Sequence, residues 1–177
     1  MAGTDHDRCH IQGSLHAAKG QGTVRIEGRF DTDLDDVWSA LTEPDRLSRW
    51  LGEIHGDFRL GGELRARYYA SGWEGTLRVN ACEPHRRLHL VPAEDKATDD
   101  NGTEVTLHPD GHQTILVLIQ HGVPLDLIAA FGTGNQTHVE DLAAHLAGRG
   151  RTDPDKMWAE LFPGYENLAA ALEQPSA

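Results

Sequence analysis

Cysteine is scarce in this chain: Cys9 and Cys82 are the only two among 177 residues. They lie far apart and form no Cys-X-X-Cys pair, so the sequence predicts neither a disulfide framework nor a paired-thiolate zinc site. Free thiols are typical of a cytoplasmic protein, which is the expected location. No apolar run approaches the ~20 residues that span a bilayer, and no signal peptide is visible, so membrane insertion is not expected.

Positive charge is also in short supply. The sequence has 16 Lys and Arg against 28 Asp and Glu, a formal net charge of −12. Nucleic-acid affinity rests on cationic neutralisation of phosphates, so a nucleic-acid partner is not expected. The eleven histidines include no HExxH spacing and no two-histidine, one-carboxylate pattern, so we predict no metal site and no cofactor. Serine-nucleophile and phosphate-loop patterns are equally absent.

Hydrophobic periodicity predicts one α+β domain. The order is a first strand at Thr23–Phe30, two short helices, about six further strands and a last helix at Asn135–Leu146. Asp33 is a good N-cap for the first helix, and Pro44 suits the first turn of the second. We therefore predict a flexible N-terminal arm over residues 1–22, with at most one short added strand, a domain over 23–150 and a C-terminal helical extension over 151–177. Gly132-Thr133-Gly134-Asn135 is interpreted as the hinge before the last helix.

Several short features follow one another in a recognisable order. They are Val37-Trp38, Leu41-Thr42-Glu43-Pro44, Leu47 with Arg49-Trp50, Phe58 with Gly61-Gly62, Gly75, Glu83-Pro84 with Arg87-Leu88, Val105-Thr106-Leu107, Thr114–Leu118 and Leu142–Arg149. In this order and spacing the chain resembles the helix-grip superfamily, also called SRPBCC or START-like, which includes the birch-pollen-allergen fold. More narrowly, it resembles the C-terminal-domain family of the activator of the heat-shock protein 90 ATPase.

The resemblance implies a curved antiparallel sheet of about six or seven strands, gripping a long C-terminal helix over a cavity. The wider superfamily binds lipids, hormones and polyketides and includes aromatases and cyclases, so the resemblance implies a cavity rather than one reaction. One departure is Gly134-Asn135-Gln136, where family members often carry Gly-Trp. With small residues on the facing strands, this departure predicts a pocket above ~300 Å³ beneath the last helix.

Strand alternation assigns the wall of this cavity. Leu64, Ala66, Tyr68 and Ala70 share one face of their strand, so Tyr68 is expected to present its hydroxyl inward. The predicted ligand-binding residues are Trp50, Tyr68, Trp73, Leu77, Leu116, Leu118, Asn135, His138, Val139 and Leu142.

Three functions fit this pattern. The leading prediction is binding of a small, mainly hydrophobic molecule between the sheet and the last helix. The first alternative is an aromatase- or cyclase-like enzyme with Tyr68 and His138 as proton-transfer groups. The second is a chaperone-associated protein-interaction module. Each of the two residues also has a structural interpretation: Tyr68 as a core residue with a bonded hydroxyl, and His138 as a solvated helix residue.

The strand Ile115–Ile119 is apolar on both faces. An antiparallel strand with one wet face normally carries polar residues there, so both faces are expected to be covered. The segment Pro154–Leu172 carries apolar residues at helical spacing, and we predict that it covers the outward Ile115, Val117 and Ile119. Two rival interpretations are that these three residues form a homodimer interface and that the segment packs on the last helix.

Overall fold

The computed structural model describes residues 10–94 and 101–173. Within them, the strands are β1 (Ile11–Ala18), β2 (Gln21–Phe30), β3 (Gly52–Gly56), β4 (Glu63–Tyr68), β5 (Glu74–Glu83), β6 (Arg87–Pro92), β7 (Gly102–Asp110) and β8 (Gln113–Val123). The helices are α1 (Leu34–Thr42), α2 (Pro44–Trp50), α3 (Ile128–Leu146) and α4 (Pro154–Leu172). A 3-10 turn, Leu125–Leu127, precedes α3.

All eight strands belong to one antiparallel sheet in the order β1-β2-β8-β7-β6-β5-β4-β3. Alternating side chains of the sheet point toward α3 and the short helices, and they supply most of the core, for example Ile26, Leu64 and Leu116. The predicted α+β helix-grip architecture is confirmed, with eight strands where about six or seven were expected. None of the helices in the described ranges has the length and apolar character needed to cross a membrane.

Local signals define α1 and α2 as predicted. The Asp33 side chain caps α1 by accepting from the Asp36 amide, and Pro44 occupies the first turn of α2. Trp50 is buried, and its indole nitrogen donates to the Ala40 carbonyl at 3.0 Å. This bond ties the end of α2 to α1 and places Trp50 in the core.

The one added strand that the sequence allowed in the N-terminal arm is present as the edge strand β1 (Ile11–Ala18), and β2 begins at Gln21, so a flexible arm is wrong for this half of residues 1–22. The strand pairs with β2 from Ile11 opposite Gly28 to Ala18 opposite Gln21. Leu15 is buried in the core and Ile11 packs against it, and such inward apolar residues specify the register of a strand. Residues 1–9, including Cys9, lie outside the described residues.

The last helix begins earlier than predicted, at Ile128 rather than Asn135. Gly132, Thr133 and Gly134 are therefore helical, and the predicted hinge is wrong. Gly132 is needed for packing: a Cβ there would lie 2.4 Å from Cδ1 of Tyr165 in α4. The glycine that suggested a break in the sequence instead allows two helices to approach closely.

The C-terminal extension forms α4, which begins at its N-cap Asp153 and continues through Pro163. It packs on α3 and β1, and its only fully buried residue among those described is Tyr165, 3% exposed. The prediction that this segment covers the outer sheet face is wrong, and the rival placement on the last helix is right. Ile115, Val117 and Ile119 remain half-buried on that outer face, and a homodimer interface there stays a prediction.

Candidate ligand-binding site

The inward side chains of the sheet face beneath α3 are not buried to the same degree along the strands. Near the short helices, the inward side chains Leu88, Leu107 and Leu116 are buried. Further along the same strands, the inward side chains are only partly buried; these are Leu90, Thr103, Val105 and Gln120. They occupy facing positions in the ladders, since Thr103 pairs with both Leu90 and Gln120. Partial exposure of neighbouring inward residues indicates that α3 stands away from the sheet at this point.

One stripe of α3 faces this part of the sheet. Phe131, Asn135, His138 and Leu142 recur at helical spacing, and all but Leu142 keep accessible surface. The Asn135 amide nitrogen donates to the Gln120 side-chain oxygen and to the Phe131 carbonyl. These bonds attach α3 to β8 through polar groups, in a region where the rest of the core is apolar.

The rings of Tyr68, Trp73 and His138 lie close together at the end of β4. The Tyr68 and His138 rings meet edge to face with centroids 5.3 Å apart, and the Trp73 ring lies 5.2 Å from Tyr68. The absence of a side chain at Gly75 leaves room for the Trp73 ring, because a Cβ at residue 75 would lie 2.7 Å from Cζ2 of the indole. Trp73 is 37% exposed, so the cluster runs from the interior to the surface.

His138 carries an unusual polar atom. Its Nδ1 is buried and has no hydrogen-bond partner in the described parts of the chain. Burial lowers the pKa of His138 to about 4, so the imidazole is neutral at pH 7. Burial also raises the pKa of Tyr68 to about 12, so the phenol keeps its proton. The two groups are therefore neutral neighbours in a water-poor corner.

The predicted site residues divide into two sets. Tyr68, Trp73, Asn135 and His138 lie along the partly open region, whereas the others are packed in the core: Trp50, Leu77, Leu116, Leu118, Val139 and Leu142. The two weak catalytic candidates, Tyr68 and His138, are brought into direct ring contact. Their roles stay predictions.

Sequence reasoning missed Phe131, Gln120, Thr103 and Leu90. The signal for Phe131 is its position four residues before Asn135, which places both on one helix face once the helix begins at Ile128. For Thr103 and Gln120, the signal is a polar residue at an inward strand position. That pattern marks an open interior only when the facing helix is known to stand off.

Two clefts lie elsewhere on the protein. One of about 430 Å³ is bordered by Lys19, Thr23, His89, Glu104 and His121, and one of about 230 Å³ lies beside Asp33 and Pro109. Neither lies beneath α3, so the predicted pocket volume there stays a prediction. Among the residues that the structure describes, no group of three or more His, Cys, Asp or Glu side chains is placed to hold a metal ion.

The chain matches a protein-family model and is similar to several solved structures. The family model for Activator of Hsp90 ATPase homolog 1-like protein matches residues 31–147. The crystal structure of CalU16 from Micromonospora echinospora is 23% identical, covers 93% of this chain and 99% of that chain, and superposes with a TM-score of 0.70. The conserved protein of unknown function EF2215 from Enterococcus faecalis is 17% identical over 92% of this chain and 93% of that chain, with a TM-score of 0.69.

DynU16, a putative protein in the dynemicin biosynthetic locus, is 24% identical over 75% of this chain and 50% of that chain, with a TM-score of 0.65. At such identities the similarity concerns the fold alone. No curated protein matches the chain.

Proposed function

The chain belongs to the family of Activator of Hsp90 ATPase homolog 1-like proteins, in the helix-grip superfamily, and from that premise we propose that it binds a small, mainly apolar molecule between the sheet and α3. The observation that carries the proposal is the partial exposure of inward side chains beneath α3. Protein interiors are close-packed, with few voids larger than a water molecule. A run of inward residues that keeps accessible surface therefore marks space that a ligand can fill.

The composition of this space favours an apolar occupant. Leu90, Val105 and Phe131 supply hydrocarbon surface, while Asn135 and Gln120 supply a few fixed polar groups. Ligand pockets are typically lined in this way, with mainly apolar side chains and a small number of polar groups that set orientation.

The same geometry supports binding better than proton transfer. An efficient general acid or base has a pKa near the working pH. The pKa values of about 12 for Tyr68 and about 4 for His138 lie on opposite sides of neutrality, so neither group changes its protonation readily at pH 7. The enzyme alternative would need a ligand that shifts both values by several units.

The proposal is tested with a neutral fluorescent probe, N-phenyl-1-naphthylamine. We expect saturable binding to the wild-type protein, and we expect Val105→Trp to weaken it at least ~tenfold by filling the inward space. Thr106→Trp is the matched control, since residue 106 is the next position on β7 and points to the other face. Circular dichroism and melting curves establish that both variants fold.

Two outcomes would refute the proposal. One is the absence of saturable probe binding to the wild-type protein. The other is a folded Val105→Trp variant with unchanged probe affinity.

A further inference from the structure

His138 holds a buried hydrogen-bonding atom that the fold itself does not satisfy. Nearly all buried polar atoms in proteins have a partner, so an orphaned one requires an explanation. Here Nδ1 lies on the inward stripe of α3, beside Tyr68 and on the same helix face as Asn135. Asn135 has its partners in Gln120 and Phe131, whereas Nδ1 of His138 is a buried polar atom without a partner in the described parts of the chain.

The surroundings of Nδ1 limit what such a molecule can be. The Tyr68 ring approaches the imidazole edge to face, and Trp73 lies next to Tyr68. Aromatic side chains prefer offset-stacked or edge-to-face partners, so a flat aromatic ring fits this corner better than a flexible chain does.

Charge limits the ligand further. The inward side chains that keep accessible surface are uncharged: Leu90, Thr103, Val105, Gln120, Phe131 and Asn135. Nearby, the Arg151 guanidinium lies over the Tyr69 ring, 4.5 Å from its centroid. Because the inward side chains are uncharged and the protein has a net charge of −12, a neutral ligand is favoured over an anionic one.

A hydroxyl group on the ligand is well suited to pair with Nδ1 of His138. A neutral imidazole exists in two tautomers, and Nδ1 donates in one and accepts in the other. A hydroxyl can both donate and accept, so it pairs with Nδ1 in either tautomer. Resting on the function proposed above, we propose that His138 is the specificity-determining residue of this site and that it selects neutral aromatic molecules that carry a ring hydroxyl.

The experiment compares 2-naphthol with naphthalene, two probes that share a ring system and differ in one hydroxyl. Affinity is measured at pH 7 by displacement of N-phenyl-1-naphthylamine. We expect the wild-type protein to bind 2-naphthol at least ~tenfold more tightly than naphthalene, because one buried hydrogen bond provides about that factor. In His138→Phe, which keeps an aromatic ring but has no ring nitrogen, the two affinities should agree within about twofold. His108→Phe is the control, since His108 is exposed on the β7 end, and it should behave as the wild type.

A second measurement does not depend on the stability of the variant. In wild-type protein with ¹⁵N-labelled histidine, 2-naphthol should shift the Nδ1 resonance of His138, and naphthalene should leave it in place. Equal affinities of the wild type for both probes would overturn the inference while leaving the proposed function intact. An unmoved Nδ1 resonance with 2-naphthol bound would also overturn it. Failure of both probes to displace N-phenyl-1-naphthylamine would count against the proposed function as well.

Discussion

His138 is a buried titratable group, and its burial makes the stability of the protein depend on pH. Its pKa of about 4 in the folded state lies below the ~6.5 of an exposed imidazole. Between these values the unfolded chain binds more protons than the folded chain. The contribution of neutral His138 is therefore fully present above pH ~6.5 and is lost as the pH falls toward 4, at up to ~1.4 kcal/mol per pH unit.

We predict that His138→Phe flattens this loss. The measurement is the free energy of unfolding in urea at pH 7, 6, 5 and 4.5 for both proteins. Burial raises the pKa of Glu140 and Asp141, so these carboxyls act in the opposite direction, but they are present in both proteins and cancel in the difference. Parallel curves for the two proteins would contradict a buried neutral imidazole.

Asp141 shows how one side chain fixes a connection. It is 2% exposed, and its Oδ1 accepts from the amide and the hydroxyl of Thr152 at 2.6 and 2.7 Å. Thr152→Val keeps the shape but leaves Asp141 with one bond fewer. We expect a loss of ~1.5–3 kcal/mol in the free energy of unfolding, the usual range for a hydrogen bond to a charged group. Thr152→Ser should restore most of it, and equal stability of the valine and serine variants would show that the hydroxyl bond contributes nothing.

At the scale of elements, the contact between α3 and α4 depends on one glycine. The Tyr165 ring occupies the space where a side chain at Gly132 would begin, and its hydroxyl donates to the Gln136 side chain at 2.7 Å. We predict that Gly132→Ala destabilises the protein, by ~1–3 kcal/mol as for other overpacked sites, because Tyr165 must move.

Gly134→Ala is the control for that prediction. It lies in the same helix, and a Cβ there meets no atom within 4 Å. Alanine is the better helix former by ~0.8–1 kcal/mol, so this variant should be as stable as the wild type or more stable. Thermal and urea unfolding of the two variants provide the test. A neutral Gly132→Ala would mean that Tyr165 is not held tightly against α3.

The elements also show which features the sequence can specify. Both helices that follow β2 depend on local signals, the Asp33 cap and Pro44, and both were predicted correctly. The start of α3 was not, because a glycine that loosens a helix and a glycine that admits a neighbouring ring look identical in sequence. The location of α4 depends on Gly13 in β1 and Gly132 in α3, which meet Tyr165 from two distant parts of the chain.

The site was predictable to a similar extent. Tyr68 was expected to face the interior from strand alternation, and His138 was expected either to line the cavity or to be a solvated helix residue. The structure brings the two rings together. Leu116, Val139 and Leu142 also face inward, yet they are packed in the core. Which inward residues keep accessible surface depends on how far α3 stands from the sheet, and that distance is set by contacts remote in sequence.

At the scale of the whole molecule, α4 packs against one edge of the domain. It covers β1 and α3, and Leu161, Ala169 and Leu172 pack with Tyr165 against the core. Its outer side stays exposed, including Trp158 and Leu168, each 42% accessible. The stabilising contribution of α4 should therefore come from its inner stripe alone.

We predict that truncation after Asp153, which keeps Thr152 and its bonds to Asp141, lowers the melting temperature and exposes apolar surface on α3 and β1. Each fully buried large side chain is worth ~1.5–3 kcal/mol before the entropy of ordering the helix is subtracted. Tyr165→Ala should reproduce much of the loss, whereas the matched change Leu168→Ala, on the exposed side, should stay within about 0.5 kcal/mol of the wild type. Calorimetry measures the melting temperature, and analytical ultracentrifugation tests whether the uncovered surface drives self-association. A truncated protein that melts like the full chain and stays in the same oligomeric state would show that α4 is not part of the cooperative fold.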